Sequence, residues 1–325
     1  MKRFIIKVLS VFITVVLVAL LVSRTSFGDI AATLKSIRPA YLASGFLLYI
    51  MSYLLRTMRF TVLLNNKIKF SEMFKVECMH NAANNVMPAR TGELSYMYLI
   101  KKWYSIPLND GTASLIVARV LDYITISLLF FISLGIEKFP GISIWIIWAI
   151  LALLGLLFIM LLLMVFYKNF INLPGSIFRR IGLENNRAAK YLLEKSNSLI
   201  TSLQSMSSHH TMFVSFLISI LIWVVLVLMY WLLGTGMNLS LSFTEMIVAT
   251  TFFVLATVLP ISGIGGFGTS ETGWVVGLVL MGIPLKSSIN MGFSLHIIIL
   301  IFSIIMGLVS IKKLIRGFNS DNNPV

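Results

Sequence analysis

Acidic residues are scarce in this 325-residue chain: twelve Asp and Glu stand against 26 Lys and Arg, and charged residues of both signs make up only 12%. A globular domain carries about twice that charged fraction, so a water-soluble fold of this length is excluded. The single cysteine, Cys78, cannot form an intrachain disulfide. Its near neighbour His80 has no further Cys or His close by with which to hold zinc, and no metal or cofactor is expected. No G-x-x-x-x-G-K-[ST] run occurs, which argues against direct use of ATP. The net charge of +14 would suit nucleic acid, but the basic residues fall in loops between apolar segments, so no nucleic-acid partner is expected.

What is abundant is apolar: 58% hydrophobic residues and a mean hydropathy of +0.93 describe an all-α integral membrane protein. Runs near the spanning length of about 20 residues lie at 4–22, 40–64, 112–135, 142–167, 212–234 and 287–310. About six crossings are expected, in one membrane domain over residues 1–325. Two weaker stretches, 72–101 and 244–282, are broken by Pro88 and Pro260. The distribution of Lys and Arg among the loops places both termini in the cytoplasm of a cell-membrane protein. It puts the longest polar segment, the linker 168–210, on the same side. The first run begins Lys2-Arg3 like a signal peptide, yet it is long, contains Lys7 and lacks an A-x-A site, so it reads as a retained anchor. The stretch 24–39 is amphipathic and reads as an interfacial helix.

The chain repeats itself. NNKIKFSEM from Asn65 aligns with NLSLSFTEM from Asn238, Pro88 with Pro260, and MPARTGE with LPISGIGGFGTSE, so that Glu93 matches Glu271. Ile106-Pro107-Leu108 then matches Ile283-Pro284-Leu285, and Arg119 matches His296. Residues 40–136 and 211–310 are therefore two copies of one unit. Each copy holds a crossing, a Pro-broken pair and a second crossing. If each pair is re-entrant, the extra crossing 142–167 turns the second copy upside down, the inverted-repeat plan of many transporters.

Gly263, Gly265 and Gly268 match G-x-G-x-x-G, but apolar segments flank them where a nucleotide fold needs a strand and a distant acid. Broken segments at matching places in two halves point instead to a binding site. The residues expected there are Pro88, Arg90, Gly92 and Glu93 in the first loop and Pro260, Gly263, Gly265, Gly266, Gly268 and Glu271 in the second. Helix ends at each break would offer N–H groups to an anion such as phosphate. Close helix packing is the alternative role for the glycines.

Ionisable groups inside a membrane are costly and are functional candidates by default. Arg119 and Asp122, three apart, share a helix face near mid-membrane and are expected to pair, either as a structural lock or in a substrate or proton role. Arg56 is expected to contact phosphate and Arg59 to snorkel toward headgroups. His296 is expected to pack as a lone apolar-face histidine, and Glu72 and Glu245 to be first-turn acids after an N-cap.

Arg56-x-x-Arg59, NNVMPARTGE, ARVLD and LPISGIGGFGTSE together resemble the lysylphosphatidylglycerol synthase transmembrane-region family, also called flippase-like domain proteins, from about Ala40 to Gly307. That family includes the lipid-translocating half of the multiple peptide resistance factor. The resemblance implies a transporter of an anionic, amino-acylated or polyprenyl-phosphate-type lipid headgroup. The chain ends about fifteen residues after its last apolar run, so the lysine-transferring half is expected to be missing and the protein is not expected to be an enzyme. Many relatives have Arg where His296 stands. The rival readings are a membrane subunit that positions a partner enzyme and an intramembrane lipid enzyme. The latter lacks a nucleophile beside a base.

Overall fold

The computed structural model describes residues 14–87, 91–139, 141–166, 187–206, 208–258 and 264–321, all of it helix and connecting turns. Two short helices, α1 (Thr14–Val22) and α2 (Phe27–Ser36), meet at 78°. The bend is stabilised by a capping box in which the Asp29 N–H donates to Ser26 Oγ at 3.1 Å and the Ser26 N–H donates to Asp29 Oδ2 at 3.2 Å. Amphipathic α2 is the helix expected at 24–39, and it packs on the last helix of the chain.

Among the described residues four helices are long and apolar enough to cross a membrane: α3 (Pro39–Leu63), α6 (Leu108–Ile136), α9 (His209–Gly236) and residues Leu285–Ile311 of α12 (Leu285–Asp321). The bent pair α1/α2 makes up to five. The 23-residue α7 (Ile144–Phe166) is almost wholly apolar in sequence and follows α6. The 20-residue α8 (Arg187–Met206) lies in the linker and packs on α6.

Between the long helices lie two hairpins of short ones, α4 (Phe70–Val86) with α5 (Glu93–Tyr104), and α10 (Phe243–Val258) with α11 (Thr269–Leu280). At 12 to 17 residues each is about 18 to 26 Å long, short of the roughly 30 Å hydrocarbon core. Glycine lets each hairpin close. A Cβ on Gly92 would lie 2.3 Å from Asn84 Cα, and one on Gly277 2.6 Å from Ala249 Cα. Gly92 therefore serves the packing role as well as marking the break.

Long helix, hairpin, long helix occurs twice, and the turns match. Asn65 and Asn238, which close α3 and α9, both adopt left-handed φ, 52° and 61°. Beyond them Asn66 N–H reaches back to Thr61 O at 2.9 Å and Leu239 N–H to Gly234 O at 3.1 Å, the same five-residue return. Ser105 and Gly282, one residue before each Ile-Pro-Leu, are left-handed too, at 54° and 84°. Packing crosses between the halves: α3 lies along α9, α4 against α12, and α10 against α6. Glu245 accepts from the Ser242 N–H at 2.7 Å as a first-turn acid, with Ser242 as the cap. Glu72 is likewise an acid in the first turn of α4, but its N-cap is Lys69, whose side chain makes no cap, and its carboxylate joins Lys75 and the Tyr104 hydroxyl.

Candidate functional site

Side chains one helical turn apart bring the site together. Along α3, Tyr49, Tyr53 and Arg56 share a face; the two tyrosine hydroxyls bond each other at 2.7 Å, and Arg56 reaches Asn81 of α4, which lines a common cavity with Asn84 and Asn85. Trp223, Leu226 and Tyr230 of α9 and Thr269, Ser270 and Trp274 of α11 line it as well. Arg119 and Asp122 of α6, Gly265 and Gly266 of the second break, and His296 of α12 complete a cavity of about 180 Å³ to which both halves contribute.

The cavity wall carries an extended set of charges. Asp122, almost fully buried, receives Arg59 twice, Nη1 to Oδ1 at 2.6 Å and Nη2 to Oδ2 at 3.2 Å, and Trp223 Nε1 at 3.1 Å. Arg59 also donates to Ser219 Oγ at 2.8 Å. It is 2% exposed and does not snorkel, because a carboxylate on the next helix meets it before any headgroup could. Arg119 and Asp122 approach only to 4.0 Å, and the close partner of Arg119 is Glu93, at 2.9 Å from Nη2. Their shared face was legible; the stronger partners lie 63 and 26 residues away in sequence.

Arg56 is different. Its one hydrogen bond among the described residues is a long one, Nη1 to Asn81 Oδ1 at 3.4 Å, and its Nε is buried without a partner there. Among the described residues no carboxylate lies within ion-pair distance of it. Asn84 Oδ1 and Trp274 Nε1, also on the wall, are buried and unpartnered as well. Unsatisfied buried polar atoms each cost about 1 to 3 kcal/mol, so three around one cavity mark a place that a polar guest would complete. Glu77 lies just behind, with Oε1 taken by Asn81 Nδ2 at 2.6 Å and Oε2 unpartnered.

In the second half Glu271 is fully buried and both its oxygens are engaged: Oε2 accepts the Gly268 N–H at 2.7 Å, and Oε1 meets His296 Nδ1 at 2.5 Å. The Gly268 N–H is therefore capped by the protein itself and is not open to an anion as the sequence suggested. His296 is a partner of an acid, where lone packing was expected. Gly265 and Gly266 adopt φ of 63° and 77°, a region that side chains rarely enter, and both line the cavity. Pro88, Arg90, Pro260 and Gly263 lie outside the described residues.

The family model described as the lysylphosphatidylglycerol synthase TM region matches residues 7–307. Over 123 residues the chain is 29% identical to a protein of Haloferax volcanii named glycosyltransferase AglD, covering 37% of this chain and 20% of that one. Over 142 residues it is 30% identical to a UPF0104 membrane protein of Methanothermobacter thermautotrophicus, covering 42% of this chain and 40% of the relative. The chain thus spans a fifth and two fifths of these relatives' lengths.

Proposed function

The chain belongs to the lysylphosphatidylglycerol synthase transmembrane-region family, and from that membership we propose that this multi-pass membrane protein moves the headgroup of an anionic lipid between leaflets. The observation that carries the reading is Arg56, a half-buried cation with spare donors on the wall of a cavity between the two hairpins. A phosphate would take the Arg56 Nε–H and Nη donors in charge-assisted hydrogen bonds, with Arg119 lining the same cavity and the tails left in lipid. The Trp274 N–H and Asn84 carbonyl would bond hydroxyl groups beyond the phosphate.

Of the cargo types that the family suggests, an amino-acylated headgroup fits worst. Its ammonium needs a free carboxylate on the wall; among the described lining residues the carboxylate is Asp122, committed to Arg59, while Glu77 lies behind the wall. A phosphodiester with a neutral, hydroxylated headgroup matches the donors and acceptors instead. The Haloferax relative's name, a glycosyltransferase, adds a sugar-bearing headgroup to the candidates. The repeated units 40–136 and 211–310 would sit inverted in the cell membrane with both termini cytoplasmic. The matched caps at Asn65 and Asn238 support two copies of one unit.

Leaflet-resolved assay of the purified protein in vesicles tests this. Fluorescent phosphatidylglycerol should exchange leaflets faster than in protein-free vesicles, and Arg56→Gln should slow it at least tenfold. Absence of exchange for phosphatidylglycerol and for polyprenyl phosphate, in well-folded protein, would favour a subunit that positions a partner enzyme.

A further inference from the structure

The two halves hold the same pair of elements together with different chemistry. Arg119 on α6 meets Glu93 at the start of α5; His296 on α12, its repeat counterpart, meets Glu271 near the start of α11. The partners are separated by 26 and 25 residues. One pair therefore carries a permanent cation, and the other carries an imidazole, the side-chain type whose charge changes between about pH 5 and 8. Glu271 accepts the Gly268 N–H at Oε2 and meets the ring at Nδ1 through Oε1. That leaves Nε2 without a hydrogen-bond partner among the described residues, on a ring that lines the cavity.

We propose that His296, held by Glu271, is the proton-binding site of the transport step, so that one proton travels with each anionic headgroup. The inference rests on the transport reading above and adds its energy coupling. The Nε2 lone pair takes a proton from cavity water, the ring becomes an imidazolium, and Nδ1–H stays on Glu271. The new Nε2–H then faces the cavity as a donor to a phosphoryl oxygen. When the cavity opens to the other side, the proton returns to water and the neutral ring is restored, with no other bond made or broken.

The surrounding groups favour this site. Glu271 on α11 draws positive charge to the ring. Arg56 on α3 and Arg119 on α6, which line the same cavity, oppose it, and Asp122 is offset by Arg59. Tyr49, Tyr53, Tyr123 and Tyr230 also line the cavity. The hairpin helix α4, packed on α12, presents Asn84 and Asn85 to the cavity, with its Glu77 and His80 in a smaller pocket behind. From α2, Asp29 is held by Lys286 at 3.0 Å. The residues of α10 at the cavity, Phe253, Val254 and Thr257, do not titrate. With two arginines lining the same cavity, a proton on His296 is retained best when an anion is bound there, which makes the two bindings mutually dependent.

The test uses the full chain and two readouts, both between about pH 5 and 8. In detergent, binding of phosphatidylglycerol is followed by the fluorescence of cavity Trp223 and Trp274; in vesicles, leaflet exchange of its fluorescent analogue is followed. For the native protein, affinity should fall by about tenfold per pH unit on the alkaline limb, the slope of one linked proton. An acidic compartment should drive the probe away from that side. His296→Arg should flatten both profiles, and His296→Gln should remove the acid-side gain in affinity even if the arginine variant fails to fold. Native binding and exchange that do not depend on pH, or an unchanged slope in either variant, overturn the proposal and leave the transport reading standing. Binding linked to pH in the absence of exchange sinks the transport reading and retains the proton site. No binding or exchange at any pH overturns both.

Discussion

Replacing Asp122 by Asn keeps its shape and removes one negative charge from beneath a guanidinium that is 2% exposed. Asp122 accepts three hydrogen bonds, at 2.6 and 3.2 Å from Arg59 and 3.1 Å from Trp223. Breaking a buried pair on one side costs about 3 to 5 kcal/mol, since the surviving charge loses its compensation. Asp122→Asn and Arg59→Met should each fall in that range. The double variant Arg59→Met/Asp122→Leu removes both charges and should recover at least about 2 kcal/mol relative to the sum of the singles. The assay is a double-mutant cycle on reversible unfolding of the detergent-purified protein. A parallel cycle with Arg119 and Asp122, at 4.0 Å and with Arg119 partly exposed, should give about 1 kcal/mol or less. Coupling below about 0.5 kcal/mol for Arg59 and Asp122 would mean independent sites and would refute the account of a buried lock.

Arg56→Gln should leave thermal stability close to native while transport drops, because no ion pair is lost; a large fall in the melting temperature would instead make Arg56 a structural residue. Glu271→Gln should cost about 2 kcal/mol of unfolding free energy, from weakened bonds to the Gly268 N–H and His296, and native stability in that variant would contradict the capping role. Gly265→Val should destabilise by about 1 to 3 kcal/mol, from forcing a branched side chain to a φ of 63°, read in the same unfolding assay. Reporter fusions near Asn65 and Asn238 should report opposite sides of the membrane, and the same side for both would remove the inverted repeat.

The repeat was legible because its anchors are local. Asn at the left-handed position and Ile-Pro-Leu after a turn write their backbone requirement into adjacent residues. Arg59 and Asp122 were not, since helix spacing ranks partners three or four residues away, and this pair is made across two helices 63 residues apart. Glu271 and His296 lie between these cases. The alignment already matched Glu93 with Glu271 and Arg119 with His296, so a contact within one copy implied one within the other. The asymmetry of charge was also visible: Arg56, Arg59 and Arg119 all lie in the first copy, and the second answers with one imidazole. What no spacing could supply was the cavity, which forms only where α4 and α11 come together with α3, α6, α9 and α12.

The crossed packing of α4 on α12 and of α10 on α6 means that the units of sequence are not the units of motion. A rocking movement that separated residues 40–136 from 211–310 would have to strip each hairpin from the long helix it lies against. Each hairpin also lies against the final long helix of its own copy, α5 on α6 and α11 on α12, so each is clasped by one long helix from either copy. A cross-link from α4 to α12 should therefore tie the two copies together through a contact the fold already makes and leave the folded protein undisturbed.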